Sequence, residues 1–221
     1  MTIAGWVAGT AAGRLARVAA ALAIVAAVPL AASPQAAPEP TARTMRPAVD
    51  FEAFEEAERT LAFASVGDVV LEARPADVRI VGFHEASFPD ALELDPAEDG
   101  WEEMTVLPSR ARPTPPTSAV DVMLDPDAAP VSPVDGEVVE VREYDLYGDV
   151  SDMQVEITPE ADPSRTVVVL HVEGVAVDEG EEVAAGQTAL GQAARTLPFE
   201  SQVDRFVDEP AGHLHIEVKN E

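Results

Sequence analysis

Six short apolar runs crowd the second half of this chain, and they constrain the fold more than any other feature. They read AVDVML, GEVVEV, MQVEI, TVVVLHVEGV, TALGQ and HLHIEV. Turn-formers fall between them at Asp135-Gly136, Tyr147-Gly148, Asp162-Pro163, Glu179-Gly180 and Ala185-Gly186. Strands this short and this regularly punctuated predict an antiparallel β-sandwich or barrel. No helical period of useful length competes with them. The fold class expected is therefore mainly β.

Upstream, ARPTPPTS from Ala111 to Ser118 holds three prolines in eight residues and marks a boundary. The runs LAFASV, DVVLEA and VRIVGF before it predict a small β-rich region over 50–110, either independent or packed on the C-terminal half. FEAFEEAERTL, from Phe51 to Leu61, fits a short helix, and the acidic stretch from Asp90 to Gly100 reads as turns. At the N-terminus, Arg14 and Arg17 precede the uncharged run Val18–Ala32, the pattern of a secretory signal. At about 15 residues and broken by Pro29, that run is short for a membrane span of about 20 residues. Residues 1–33 are thus expected to be a signal peptide or N-terminal anchor, and 34–49 a Pro/Ala-rich linker, on a chain exported from the cytoplasm. Membrane contact is expected only through that first segment.

Charge removes one class of function. Acidic residues number 41 against 14 basic ones, for a formal charge of -27, a poor surface for nucleic-acid phosphates. With no cysteine, disulfides, thiolate metal sites and Cys nucleophiles are excluded. The chemistry must come from His, Asp and Glu. All four histidines, His84, His171, His213 and His215, lie beyond the linker. On a strand, His213, His215 and Glu217 project to one face while Leu214, Ile216 and Val218 project to the other. Such a half-buried strand presents two imidazoles to a common site, or two polar residues to solvent. His171 and Asp121 each sit among apolar neighbours, where an unpaired polar group would be costly, so they call for partners.

In order, these segments resemble the lysostaphin/LytM-type zinc metallopeptidases, glycyl-glycine endopeptidases with a duplicated hybrid motif fold. AVDVMLDPDAAPVSPVDGEVVEV is similar to the opening segment of that family, YGDVSDMQVEI to its Tyr-Gly turn and the strand after it, LHVEGVAVDEGEEVAAGQTALG to its His-Leu segment, and GHLHIEVK to its terminal His-x-His motif. The resemblance covers residues 111–221. It implies zinc as cofactor, with Asp121 and His215 as metal ligands, His213 as general base and His171 as the histidine that orients water and stabilises an oxyanion. It implies peptidoglycan, or cell-wall peptides, as substrate, and a cell-wall or extracellular location. The first His ligand of the family falls at Thr117, a poor neutral ligand, so the metal site is incomplete in the matched motifs. His84, or one of the catalytic histidines, is the candidate for the missing ligand. RTLPFESQVDRFVDEPA also stands where the family has a Gly/Ser-rich substrate loop. A non-catalytic member that binds wall material or regulates another wall hydrolase is the alternative. A biotinyl or lipoyl carrier, suggested by EEVAAGQTALG, would need an exposed turn lysine, and the only lysine is Lys219 near the C-terminus.

Overall fold

The computed structural model describes residues 58–148 and 150–221. The signal or anchor segment, the linker and residues 51–57 of the expected helix lie outside them. The described residues cluster as one compact unit.

It begins with a hairpin of β1 (Leu61–Val66) and β2 (Val69–Ala73), in which Gly67 takes the positive φ that its tight turn requires. Leu61 opens a strand and does not end a helix as expected, because Phe63 has to point into the core from an extended chain. Next come β3 (Val78–His84), β4 (Asp95–Pro96), β5 (Met104–Val106) and β6 (Ala119–Leu124). β7 (Gly136–Leu146) and β8 (Val150–Pro159) form the longest hairpin, and β9 (Arg165–Leu170) comes after it. Three two-residue strands, β10 (Val172–Glu173), β11 (Glu182–Val183) and β12 (Ala193–Ala194), precede the last long one, β13 (His213–Asn220). Two single turns of 3-10 helix, Pro75–Asp77 and Val203–Phe206, complete the described residues. None of these helices is long and apolar enough to cross a membrane.

The protein is mainly β. Its large sheet has the order β11-β7-β8-β9-β13-β6-β3-β5, β1 lies between β2 and β4 in a second sheet, and β10 pairs with β12. All pairs are antiparallel except β3 with β5, which run parallel, an exception to the antiparallel expectation. β3 joins β6 across the Pro-rich stretch 111–118, so the regions on either side of it share one sheet.

Two further expectations need correction. TVVVLHVEGV is not one strand: His171, at φ 68, leaves the ladder between β9 and β10. TALGQ is not a strand; only Ala189 makes an isolated bridge, to Val131.

Side-chain alternation gives the sheet two different faces. On one, Val81, Phe83, Val120, Val122, Leu214 and Ile216 pack with Phe63, Val69 and Leu71 of the hairpin into the main core. β9 can be apolar throughout because it is central and covered on both sides: Val167 and Val169 enter that core, and Val168 is equally buried. The other face carries Asp121, His213, His215, Glu217, His84 and Asp152, all buried. Beside them a smaller apolar cluster of Ile80, Leu107, Met123, Val203 and Ala211 anchors the loop beyond β12.

Candidate metal centre

Register places the site. Asp121 on β6 lies directly opposite His215 on β13 and directly opposite Gly82 on β3. His84, two residues beyond Gly82, projects to the same face. Three adjacent strands thus aim three side chains at one point. One ligand atom from each of His84, Asp121 and His215 lies within 4.8 Å of the others, a group that could hold a metal ion. None is more than 7% exposed.

The hydrogen bonds around this group suit a cation. His84 Nδ1 is 2.8 Å from the Glu85 carbonyl oxygen, which can only accept, so Nδ1 carries the proton. His84 Nε2 then lies 3.0 Å from Asp121 Oδ1 yet makes no hydrogen bond. A neutral ring would set a lone pair against a carboxylate there, an arrangement that a shared cation relieves. His215 has a carboxylate oxygen at each ring nitrogen: Asp121 Oδ1 is 2.9 Å from Nδ1, and Glu217 Oε1 is 2.8 Å from Nε2. Burial works against charge on His215, but hydrogen bonds to Asp121 and Glu217 prevail and push its pKa up to about 9. Burial likewise raises the Asp121 carboxyl, but the neighbouring His84 and His213 and the hydrogen bond from His215 carry it well below the usual range. A metal can take the role of the extra proton. His215 Nδ1 would ligate while Nε2–H stays on Glu217, the common arrangement of a metal-bound histidine held by a carboxylate. The separations of 3.0 and 2.9 Å fall a little inside the ~3.3 Å between donors at ~2.0 Å around a tetrahedral ion, so slight opening suffices.

Thr117 takes no part. Its hydroxyl donates to the Leu94 carbonyl at 2.9 Å. His84 is the residue brought to Asp121, from the strand next to β6.

The two other histidines stand beside this group. His213, on β13, makes no hydrogen bond to the described residues through its ring. Burial lowers its pKa, and the neighbouring His171 and His215 rings add to this against the attraction of Asp121, so its ring is neutral near pH 7. The His171 ring meets it edge to face, with centroids 5.2 Å apart. Positive φ is uncommon for a residue with a Cβ, and here it turns His171 out of the ladder toward the cleft.

Sequence patterning alone did not single out Asp152. Its carboxylate, buried on β8, lies 2.5 Å from His171 Nδ1 and accepts the Tyr144 hydroxyl at 2.6 Å. Burial pushes the Asp152 carboxyl up, but the bonds from His171 and Tyr144 outweigh it and hold the group ionised. Arg195 adds a contact at 3.4 Å. His171 therefore keeps its proton on Nδ1 and presents Nε2. The available signal was the alternation Asp152, Gln154, Glu156 opposite Met153, Val155, Ile157, which puts three polar groups on the face of a sheet that elsewhere carries histidines.

His84, Asp121, His171, His213 and His215 floor an open cleft of about 440 Å³. Its walls come from the segment 108–112 and from the long loop 195–211, with Tyr147 and Phe199 in edge contact at 5.5 Å on the rim.

No family model matches the chain, and no curated protein matches it. Among solved structures, a zinc-containing peptidase from Vibrio cholerae is similar over 71% of this chain, at 20% identity and a TM-score of 0.34. The match spans 43% of that peptidase, less than half its length. At that TM-score the likeness fixes neither fold nor activity.

Proposed function

We propose that this protein is an exported zinc endopeptidase acting on cell-wall peptides, with His84, Asp121 and His215 holding the metal. The observation that carries the reading is the convergence of those three groups from adjacent strands, with the buried His84 Nε2 lacking any hydrogen bond. The ordered resemblance of residues 111–221 to wall-cutting endopeptidases supplies the substrate class. Zinc bound there would contribute Lewis acidity toward a carbonyl oxygen and acidify water.

The remaining steps fall to the protein. His213, neutral near pH 7 and beside Asp121 and His215, is suited to accept the proton of the attacking water and return it to the leaving amine. His171, fixed by Asp152, offers Nε2 for orienting water or, when protonated, for a hydrogen bond to a developing oxyanion. Glu217 holds His215 in place and itself accepts the Ser87 N–H at 3.0 Å. The alternative, a non-catalytic wall-binding or regulatory module, drew on the loss of a ligand at Thr117. The position of His84 favours the catalytic reading.

The test is elemental analysis together with digestion of purified peptidoglycan. The expected result is about one zinc per chain, with digestion abolished by a chelator and restored by zinc. His213→Ala should keep the metal and lose activity by about 10²- to 10⁴-fold. A chain that holds no zinc, or a fully active His213→Ala protein, refutes the proposal.

A further inference from the structure

Among the described residues of this acidic protein, most basic side chains are already neutralised. Arg74, Arg79, Arg142, Arg165, Arg195, Arg205 and Lys219 each lie within 4.0 Å of a carboxylate oxygen. Arg110 and Arg112 have no such partner among the described residues. Arg110 Nε donates to the neutral Gln202 Oε1 at 2.5 Å, and Arg112 Nη1 donates to the Glu85 carbonyl at 2.8 Å. Both line the cleft above the metal group. In a chain with 41 acidic residues, two cations in one cleft with no carboxylate oxygen within 4.0 Å are out of pattern, although the Arg112 charge still acts on the Glu85 carboxylate.

Their placement is built rather than incidental. Glu85, next to the ligand candidate His84, is 6% exposed, and its carboxylate accepts the Ser109 hydroxyl and the Arg110 and Arg112 N–H groups, at 2.6 and 3.4 Å for the latter two. That pin holds the segment 109–112, with Ala111 at φ 58, against the end of β3. Gln202 ties Arg110 to the loop on the other side and also donates to the Pro108 carbonyl. The Glu200 carboxylate, the lining acid other than Asp121, is held by Arg205 at 2.8 Å.

We infer that Arg110 and Arg112 form a carboxylate-binding subsite beside the metal group, so that the preferred ligand is a peptide with a free carboxylate close to the bond presented to the metal. Planar guanidinium groups recognise carboxylates through paired hydrogen bonds, and Arg110 keeps its terminal nitrogens available for them. The carboxylate can be a chain terminus or a side chain. The substrate class rests on the peptidase reading; the subsite itself does not need the metal.

Three probes separate the cases: N-acetyltriglycine, its C-terminal amide, and the α-amide of N-acetyl-diglycyl-glutamic acid, in which only the side-chain carboxylate is free. Binding to the zinc-loaded and the metal-free chain is followed by calorimetry or NMR shifts. One or both carboxylate probes should bind about tenfold tighter than the amide, and which of them does identifies the source. The preference should persist without metal and vanish in the Arg110→Gln/Arg112→Gln protein. Arg110→Gln alone, which leaves every Glu85 contact in place, should weaken it severalfold. Equal binding of all probes overturns the inference, as does a preference that survives the double substitution or requires the metal, or no binding up to about 10 mM. A chain that takes up no zinc yet keeps the carboxylate preference refutes the peptidase reading and leaves this one standing.

Discussion

His84→Ala removes the one proposed ligand that the terminal and opening motifs do not supply. A complete zinc site in a small protein is worth about 10–16 kcal/mol, or about 3 kcal/mol for each of four ligands, so loss of one should weaken binding by about 10²-fold or more. The same change also deletes a side chain that is 2% exposed, and the cavity should lower the stability of the metal-free fold by a few kcal/mol. Zinc affinity is measured by competition with a chelator of known strength, and metal-free stability by thermal unfolding under circular dichroism. If His84 only fills space, the melting temperature falls and the affinity does not. His84→Ala that stays folded and binds zinc within threefold of the parent would refute the ligand assignment. A second arm adds Thr117→His to the His84→Ala protein. Because the Thr117 hydroxyl is turned to the Leu94 carbonyl, imidazole at that position should not restore the affinity, and recovery would mean that Asp121 can be reached from the segment before β6 after all.

Binding of zinc at pH 7 should release about one proton, because His215, with a pKa of about 9 in the metal-free protein, must become neutral to ligate; calorimetry in buffers of different ionisation enthalpy reads this number directly. For the metal-free chain the raised pKa contributes stability that is fully present below the unfolded value of about 6.5 and is lost as pH climbs to about 9. The loss is of order 3 kcal/mol and should disappear in His215→Gln, as urea titrations at several pH values would reveal. Asp152→Asn should leave zinc affinity within a factor of about three and cut hydrolysis at least tenfold, since it alters the partner of His171 and no proposed ligand; a parallel loss of zinc would place Asp152 in the metal site instead.

Local patterning exposed the strands but not their neighbours. β1, β2, β3, β6, β8 and β13 stand where the apolar runs and turn-formers put them, because alternation and punctuation act within a few residues. Pairing is a different matter. β3 meets β6 across some thirty intervening residues, and β5 enters parallel to β3 with only Met104–Val106 to announce it. The break at His171 was hidden as well. VVVLHVEGV has the composition of one strand, and the carbonyl of His171, which accepts the Arg195 N–H at 2.8 Å, is satisfied from a loop more than twenty residues away. The expected helix failed at its end for a similar reason, since Leu61 and Phe63 are recruited by a hairpin and a core that the local period does not describe.

The site illustrates the same division. His213, His215 and Glu217 share a face by parity alone, so one strand's sequence was enough to group them. Grouping them with Asp121 required the order of motifs, and adding His84 required the sheet. A metal selects donors by distance and angle, and it is indifferent to the strand that delivers them. In an antiparallel sheet the positions opposite Asp121 belong to β13 on one side and β3 on the other, whereas Thr117 precedes β6 and is held to the Leu94 backbone. A ligand lost from the approach to β6 can therefore be supplied by β3, provided that the facing residue is small. Position 82, directly opposite Asp121, is glycine, and a Cβ there would press on Leu107 at 3.1 Å. Gly82→Val should for that reason disturb the centre without touching a single proposed ligand: the added side chain meets Leu107, and where Leu107 does not yield, β3 shifts and carries His84 with it. Zinc affinity should fall in this variant and hold in Val81→Ile, one residue away on the core face; equal affinity in both would mean that the spacing of β3 and β6 does not set the geometry of the site.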